Sequence, residues 1–203
     1  MAITNGYATL AEIKAALRIS DSVDDALLEP AVESASRLID GHCGRAFWNA
    51  GTVTRDYVPN DNYLCEIDDL QGTAVTIRTS SGADLTFDQT WSTTDYQLEP
   101  LNGVTAGQAT PFYKIRAIDG EYVFPKEFGA ATVRVTGAMG WAAVPSAVKQ
   151  ATIIQAARIF KRLDSPLGVA GFGDLGIMRV GRGLDTDVAQ LVAAYVKYPH
   201  GIA

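Results

Sequence analysis

The chain has few of the residues that metal and nucleophilic sites require. Its 203 residues include two histidines and two cysteines, Cys43 and Cys65. Two cysteines make no disulfide framework, so we expect a reducing compartment. The N-terminal stretch lacks a basic segment followed by an apolar core, so we expect no secretory signal and a protein that folds in a cytoplasm.

Long hydrophobic runs are also lacking. The longest helical pattern, from Pro145 to Leu163, is interrupted by Lys149, Arg158, Lys161 and other polar residues, so it cannot span a membrane. Charged residues make up 20% and apolar residues 47% of the chain. This ordinary balance excludes wholesale disorder and predicts a soluble globular fold of one domain or two small ones.

Catalytic and cofactor motifs are sparse. No phosphate-cradling GxxxxGK[ST] string occurs, and no nucleophile motif accompanies His42 or His200. The adjacent His42 and Cys43 do not supply the three or four spaced ligands of a metal site; a helix-end histidine beside a buried thiol explains them better. We therefore expect no catalytic residue, no metal and no cofactor.

One string, Gly171 to Gly176, fits the pattern GxGxxG. The pattern predicts dinucleotide binding only between a strand and a helix of a βαβ unit, whereas here it follows a helix and a proline and leads into further predicted loop. The alternative is a flexible segment that docks a partner through apolar and arginine anchors. Its candidate residues are Phe172, Leu175, Ile177, Met178, Arg179 and Arg182. A glycine-rich loop without a partner remains the simpler alternative.

Charge is distributed unevenly along the chain. Residues 1–50 hold four basic and seven acidic side chains, residues 51–140 six and twelve, and residues 141–203 seven and four. The acidic majority argues against nonspecific wrapping of nucleic acid, which requires a dense basic surface. A basic C-terminal third and an acidic middle favour head-to-tail contact between protein neighbours, unless these are simply solvated charges.

Both ends of the chain carry helical patterns. Thr9 and Glu12 have capping-box spacing before a short helix to about Leu17. A second helix is predicted from about Val23 to Cys43, with a kink or new start near Glu29 because Pro30 lacks a backbone donor. Its expected apolar stripe is formed by Leu28, Val32, Ala35 and Ile39 and widened by Leu27, Ala31 and Leu38.

The middle of the chain carries strand patterns separated by turn formers. Predicted strands are Val53–Val58, Tyr63–Ile67, Ala74–Thr79, Asp84–Phe87, Tyr96–Leu98, Phe112–Ala117 and Thr132–Thr136. Since no helices intervene to make parallel crossovers, we expect a small antiparallel sheet or sandwich.

After the last strand, Gly137, Gly140 and Trp141 form a predicted hinge back to helix. A central core helix is predicted over Pro145–Leu163 and a last helix from Asp185, as N-cap, to about Lys197, with the loop-like segment 164–183 between them. The ends are too small and one-sided to bury their apolar faces separately.

These patterns predict an α+β fold in which a helical bundle formed by both chain ends carries an inserted small antiparallel β domain. The expected divisions are residues 1–50 and 141–203 for the helical body, residues 51–140 for the β lobe, and residues 164–183 for a glycine-rich arm.

Two stretches resemble the head–tail adaptor (connector, head-completion) proteins of long-tailed bacteriophages and gene-transfer particles. The first runs from Thr9 to Ile19 and on through Asp24–Leu28 to the Gly-Arg-aromatic run 44–47. The second is the strand, glycine–aromatic junction and proline-started helix of residues 133–151. Their order and spacing carry the resemblance. The glycine-rich insertion 164–183 and the long β segment depart from the shorter, wholly helical members.

The resemblance implies a structural virion protein. Such a protein forms a homo-oligomeric ring, commonly of twelve subunits, beneath the portal protein, and prepares the vertex for a stopper or tail-completion protein. DNA passes through the lumen with only nonspecific contact, and no membrane is involved. The implied location is the virion neck, and the host cytoplasm during assembly; the implied role of the arm is docking to the portal.

Two other functions remain open. The chain could be a different neck part, such as a stopper or tail terminator, or a small non-enzymatic binding module whose β lobe holds a ligand. Enzymatic activity is not expected.

Overall fold

The computed structural model describes residues 3–82, 84–118, 120–126, 129–162, 169–171, 177–179 and 183–197; for residues 169–171 and 177–179 it describes the backbone. The chain divides into two compact units, one formed by Met1–Trp48 with Val144–Ala203 and the other by Asn49–Ala143. We call them the helical unit and the sheet unit. Across the described helices, none is long and apolar enough to cross a membrane.

The helical unit contains four described α-helices. They are α1 (Leu10–Leu17), α2 (Asp25–Cys43), α3 (Ser146–Lys161) and α4 (Thr186–Val192), the last continued by a 3₁₀ turn, Ala193–Tyr195. The predicted new start near Glu29 is wrong, because α2 is assigned as one helix through Pro30. Pro30 lies in the second turn, where it removes one backbone hydrogen bond and crowds the carbonyl four residues earlier, yet the helix continues.

The capping box predicted at the start of α1 is confirmed. The Glu12 amide donates to Thr9 Oγ1 at 3.2 Å, and the Thr9 amide donates to Glu12 Oε2 at 2.8 Å. The other oxygen of Glu12 accepts from Lys149 Nζ of α3 at 2.8 Å. One carboxylate therefore caps α1 and joins the N-terminal helix to a helix more than 130 residues later.

Asp185 lies at the N-cap position of α4, as predicted, but its side chain makes no capping hydrogen bond. Its carboxylate pairs instead with Arg158 of α3. The Asp185 amide also donates to Gln155 Oε1, at 3.3 Å. These contacts to α3 hold the start of the last helix against the bundle.

The core of the helical unit lies between α1, α2 and α3. Its buried members are Ala8, Ile13, Leu28, Ala31, Val32, Ala35 and Ala156. Two residues expected to widen the buried apolar side of α2 are not buried: Leu27 is 50% and Leu38 43% exposed. The other described helices do not cover these two residues, so the buried side of α2 is narrower than the sequence predicts.

Tyr7 organises the polar contacts of this unit. Its hydroxyl donates to Asp40 Oδ1 and accepts the Phe47 amide at 2.8 Å, while its own amide donates to Ser36 Oγ at 3.0 Å. The ring packs edge-on against Phe47, with 5.7 Å between ring centroids. Burial, and then the hydrogen bond to Asp40, raise the pKa of the Tyr7 hydroxyl far above its usual range.

The C-terminal segment reaches the same cluster. The ring of Tyr195 packs edge-on against Phe47 at 5.8 Å, and the Lys197 amide donates to the Cys43 carbonyl at 2.8 Å. Gly44, at φ +64°, ends α2 beside this contact, and a Cβ there would approach the Lys197 carbonyl to 3.3 Å. The two ends of the chain thus share one packed and hydrogen-bonded junction.

The sheet unit contains eight strands in its described part: β1 (Asn49–Tyr57), β2 (Leu64–Thr79), β3 (Gln89–Thr90), β4 (Tyr96–Glu99), β5 (Val104–Thr105), β6 (Gln108–Ala109), β7 (Phe112–Ala117) and β8 (Val133–Gly140). The main sheet is antiparallel in the order β1-β8-β2-β7-β4, with β3 paired to β2, and β5 and β6 form a separate hairpin.

The strands predicted at Tyr63–Ile67 and Ala74–Thr79 are both present, but the break predicted between them is wrong. From Leu64 to Thr79 the chain forms one 16-residue strand, β2, which pairs with β7 in its first part and with β8 in its second, with a register shift between Leu70 and Val75. The strand predicted at Asp84–Phe87 is wrong; Leu85 and Phe87 have φ of 58° and 50°, in the left-handed region rather than the β region.

The main sheet is buried on one face. Alternate residues of β8, namely Val133, Val135, Gly137 and Met139, are buried while their neighbours are half-exposed. They pack with Leu70, Ile77, Ile115 and the stacked rings of Trp91 and Phe124, whose centroids are 4.7 Å apart. The architecture is therefore α+β, with helical chain ends and an antiparallel sheet between them, as predicted.

We expect Tyr7→Phe to destabilise the helical unit. The change keeps the ring packing but removes the hydroxyl that joins Asp40 to the Phe47 amide, and an unmet buried donor or acceptor costs about 1–3 kcal/mol. Denaturant titration followed by circular dichroism measures the loss. Tyr63→Phe, whose side chain is exposed, is the control and should change the free energy of unfolding by less than about 0.5 kcal/mol. Equal stability of the two variants would contradict the assignment.

We expect Glu12→Gln to make a pH-dependent difference. The hydrogen bond from Lys149, and then that from the Thr9 amide, hold the pKa of Glu12 below its ordinary 4.5. The stability contributed by the carboxylate is therefore full above pH 4.5 and is lost as the pH falls through the folded-state pKa.

At pH 7 the free energy of unfolding of the wild type should exceed that of Glu12→Gln by about 0.5–1 kcal/mol. The difference is small because the pair with Lys149 is largely solvent-exposed. Melting curves at pH 7 and below pH 4 should show the gap closing. A gap that stays constant would mean that the charge of Glu12 contributes nothing.

Candidate assembly interface

The predicted docking arm lies partly outside the described residues. This applies to Phe172, Leu175 and Arg182. The backbones of Ile177, Met178 and Arg179 form a strand, β10 (Ile177–Arg179), which pairs antiparallel with β9 (Val169–Gly171). The prediction of loop is thus wrong for these three residues, because pairing with a strand six residues earlier leaves little trace in sequence periodicity.

The same hairpin removes the context that a dinucleotide site requires. Gly171 ends β9, and the next described element is the antiparallel strand β10 rather than a helix. A phosphate-binding glycine motif needs a helix N-terminus directly after the strand. Of the GxGxxG string, Gly171 therefore ends a strand that pairs with β10, and residues 172–176 lie outside the described residues.

The three hinge candidates lie in or directly after β8. Gly137 pairs with Val53 on one side and Val75 on the other, so the strand continues four residues beyond its predicted end. A Cβ at Gly137 would approach Leu70 Cδ1 to 2.7 Å, which explains the glycine by close packing. Gly140 has φ +94° and ends the strand. Bending of the chain at these residues stays a prediction.

Trp141 is buried directly after β8. Its indole N–H donates to Asp69 Oδ2 at 2.9 Å, and both side chains are at most 5% exposed. Asp69 lies on β2, so this bond fastens the end of β8 to the neighbouring strand. Trp141 is thereby an anchor of the sheet unit.

The sheet unit carries excess negative charge. Four of its basic side chains are paired with carboxylates: Arg55 with Asp68, Lys114 with Glu66, Arg116 with Glu99, and Arg134 with Asp56. The Arg134 pair is bidentate, with distances of 2.7 and 2.8 Å. Hydrogen bonds from Arg134 and Arg116 lower the pKa of Asp56 and Glu99 respectively. Because Arg55, Arg116 and Arg134 are engaged by carboxylates, this surface is poorly suited to binding phosphate.

Two cavities open on the sheet unit. One, of about 260 Å³, is lined by Thr73, Thr93, Tyr96, Leu98, Leu101 and Phe112; the other, of about 370 Å³, is lined by uncharged residues that include Gln71, Asn102 and Phe112. Neither lining contains an acid, a histidine or a basic side chain. Within the described ranges, no group of three or more His, Cys, Asp or Glu side chains is placed to hold a metal ion.

The sequence reasoning missed one surface, the outward side of α2. Val23, Leu27 and Leu38 are 82%, 50% and 43% exposed. Spacings of four and eleven residues place them on one side of the helix. The signal was available, because Leu27 and Leu38 were recognised as apolar and aligned, but the burial of that side depends on how many helices surround it.

Comparison with known proteins finds likeness to components of phage and gene-transfer particles. Residues 7–71, from before α1 into β2, match the family model of the phage gp6-like head-tail connector proteins. The resemblance seen in the sequence is thus confirmed over this region. No curated protein sequence matches the chain.

Three solved structures share the fold. They are the neck of an empty gene transfer agent (GTA) particle computed with C6 symmetry (TM-score 0.54, 17% identity), the neck of the native GTA particle computed with C12 symmetry (0.56, 17%) and the virion of the native GTA particle (0.55, 18%). Each comparison covers 99% of this chain and 96% of the other. The likeness therefore includes the helices at both ends and the strands between them.

We expect Gly137→Ala to destabilise the sheet unit by about 1–3 kcal/mol, because the added methyl group must displace the buried Leu70 side chain. Gly41→Ala is the matched control. A Cβ at Gly41 meets nothing within 4 Å in an exposed helical position, so this change should stabilise by about 0.5–1 kcal/mol. Denaturant titration of both variants checks the opposite signs. A neutral Gly137→Ala would instead indicate a junction loose enough to bend.

Proposed function

We propose that this chain is a structural virion protein of the neck, a head–tail adaptor. It forms a ring, of twelve copies, that docks under the portal protein and links the DNA-filled capsid to a stopper or tail-completion protein. It has no enzymatic activity and uses no cofactor. It assembles from subunits in the host cytoplasm.

The observation that carries this proposal is the extent of the shared fold. Both GTA neck structures cover nearly the whole of this chain and of their own. Independently, a connector family matches the first helices and strands. A fold can host many functions, but here two comparisons of different kind lead to the same particle part.

The ring is supported by the symmetry of the similar particles, whose necks were computed with C6 and C12 symmetry. Closed cyclic rings are built from heterologous contacts, in which one patch of a subunit meets a different patch of the next. A chain with helices at both ends and a separate sheet unit offers different surfaces for its neighbours around the ring, above it and below it.

The passage of DNA through the ring is supported by the charge of the chain. The net charge is −6, and three arginines of the main sheet, Arg55, Arg116 and Arg134, are paired with carboxylates. A negative wall repels the phosphate backbone, and so it lets a duplex slide without being trapped. Contact with DNA in such a lumen is nonspecific.

Portal docking is assigned to the arm, residues 164–183. The β9–β10 hairpin gives this segment a backbone frame, since two paired strands hold their residues at fixed spacing. Its apolar and arginine candidates, Phe172, Leu175, Ile177, Met178, Arg179 and Arg182, have the composition of interface anchors.

A binding module is the rival from a different class. The uncharged cavity that includes Gln71, Asn102 and Phe112 favours it, because apolar clefts with a few polar groups hold small ligands. Another neck part, such as a stopper, is the rival from the same particle. Co-purification with portal-bearing capsids, followed by imaging of a coaxial ring under the portal, separates the adaptor from both. Tails that attach without this chain would contradict the adaptor role.

We expect deletion of residues 166–182 to leave a folded protein that no longer binds portal-bearing capsids. Circular dichroism checks the fold, and a capsid pull-down checks the binding. Unchanged binding would refute the role of the arm.

A charge-matched pair of variants sharpens this test. Arg179→Glu with Arg182→Glu should reduce capsid binding at least tenfold. Arg78→Glu with Lys126→Glu changes the net charge equally on exposed positions of the sheet unit, and it should bind as the wild type does. Equal loss in both double variants would mean that overall charge, rather than the arm, governs docking.

A further inference from the structure

The outward side of α2 is an uncharged stripe. Val23, just before the helix, and Leu27, Pro30, Ser34, Leu38 and Gly41 recur at helical spacing, and all six are exposed. We call these residues the α2 stripe. The helix rises by about 1.5 Å per residue, so the stripe extends for roughly 27 Å. Apolar side chains aligned over such a length mark an interaction surface.

A second stripe lies on the outward side of α3. It consists of Gln150, Ile153, Ile154, Ala157 and Lys161. Gln150 and Lys161 are exposed and the other three half-buried, with Ile153 and Ala157 also in contact with the edge of the helical core. As expected of a central helix, α3 packs against α1, α2 and α4, and its fully buried residues are Val148, Ala151, Thr152, Gln155 and Ala156, on its opposite side. We call the outward set the α3 stripe.

The two stripes face away from each other. Within the helical unit, α2 and α3 pack together through their buried sides, where Ala156 of α3 joins Leu28 and Val32 of α2. Their exposed sides therefore lie on different flanks of the same bundle. A head-to-tail ring requires this arrangement, because each subunit must present one patch to the copy before it and another to the copy after it.

Charge around the stripes is complementary. Residues 24–43 hold five acidic side chains and one basic, whereas residues 146–162 hold four basic and none acidic. Part of this charge is neutralised inside the unit by the pairs Lys14–Asp25, Arg37–Asp40, Lys149–Glu12 and Arg158–Asp185. Asp21 and Asp24 remain at the N-terminal end of the α2 stripe, and exposed Lys161 lies at the C-terminal end of the α3 stripe.

We propose that the α2 stripe of one copy packs against the α3 stripe of the neighbouring copy, with the two helices antiparallel. In this orientation Asp21 and Asp24 come next to Lys161, and Leu38 comes next to Gln150. The uncharged centres then pack apolar side chains against one another without burying a charge. The contact rests on the proposed ring and identifies the surfaces that close it.

Engineered cysteines test the contact. The native Cys43 and Cys65 are buried, and burial raises the pKa of each thiol to about 12, so they remain unreactive. The variant Leu38→Cys with Gln150→Cys is assembled on portal-bearing capsids and treated with a short bismaleimide. We expect a ladder of covalent multimers in steps of 21.7 kDa on a denaturing gel, ending at the size of the ring.

The control pair is Leu27→Cys with Gln150→Cys. In the antiparallel contact these two positions are separated by about 16 Å along the helices, beyond a short linker, so this pair should give at least tenfold less product. Each single-cysteine variant should give no ladder. Thermal melting verifies that the variants fold. If the variant Leu38→Cys with Gln150→Cys does not fold, the variant Ser34→Cys with Ala157→Cys replaces it.

Three results would overturn the proposal. Rings that are visible by imaging but give no ladder would show that other surfaces close them. A ladder from the control pair but not from the first pair would indicate that the two helices are parallel rather than antiparallel. Adducts between this chain and the portal would assign the stripe to that partner. If no ring is seen on any portal, the proposed function itself fails, and the contact with it.

Discussion

The hydroxyl of Tyr7 is the interaction on which the helical unit depends. It joins the segment before α1 to Asp40 near the end of α2 and to the backbone of Phe47, and Phe47 in turn packs against Tyr195 from the C-terminal end. Hydrogen bonds in a poorly hydrated site strengthen one another, but they also make each missing partner costly. The ends of the chain are thus fixed together at one place, where the chain leaves the helical unit through Trp48.

This junction explains how a sheet can be inserted without dividing the helical core. The segment 1–48 buries its apolar side only when α3 and α4 return from the far end of the sequence, and Glu12–Lys149 and Arg158–Asp185 fix their positions. The sheet unit is held by its own contacts: the bent strand β2 pairs with both β7 and β8, and Trp141 bonds to Asp69. Each unit can therefore evolve outer surfaces for different neighbours without disturbing the other's packing.

Local signals predicted much of this fold. The capping box at Thr9 and the proline before α3 each depend on residues close in sequence, and both predictions are confirmed. The strand predicted at Thr132–Thr136 is present in β8 but continues to Gly140. What failed depends on partners distant in sequence. To predict the exposure of Leu27 and Leu38 one must know how many helices surround α2. The continuity of β2 depends on the positions of β7 and β8, and the formation of β10 depends on its pairing with β9. The exposed apolar side of α2 was missed for the same reason, since periodicity shows an apolar side but not what covers it.

The exposed α2 stripe has a cost that a monomer would have no reason to carry. Uncharged apolar side chains aligned on a helix favour nonspecific association, and soluble proteins usually interrupt such surfaces with charge. Here the charges of α2 lie beside the stripe rather than within it, and those of α3 have the opposite sign. In the proposed contact, the acidic margin of the α2 stripe repels the same stripe of another copy and faces the basic flank of α3. On that proposal, the arrangement favours an ordered head-to-tail contact over random clustering.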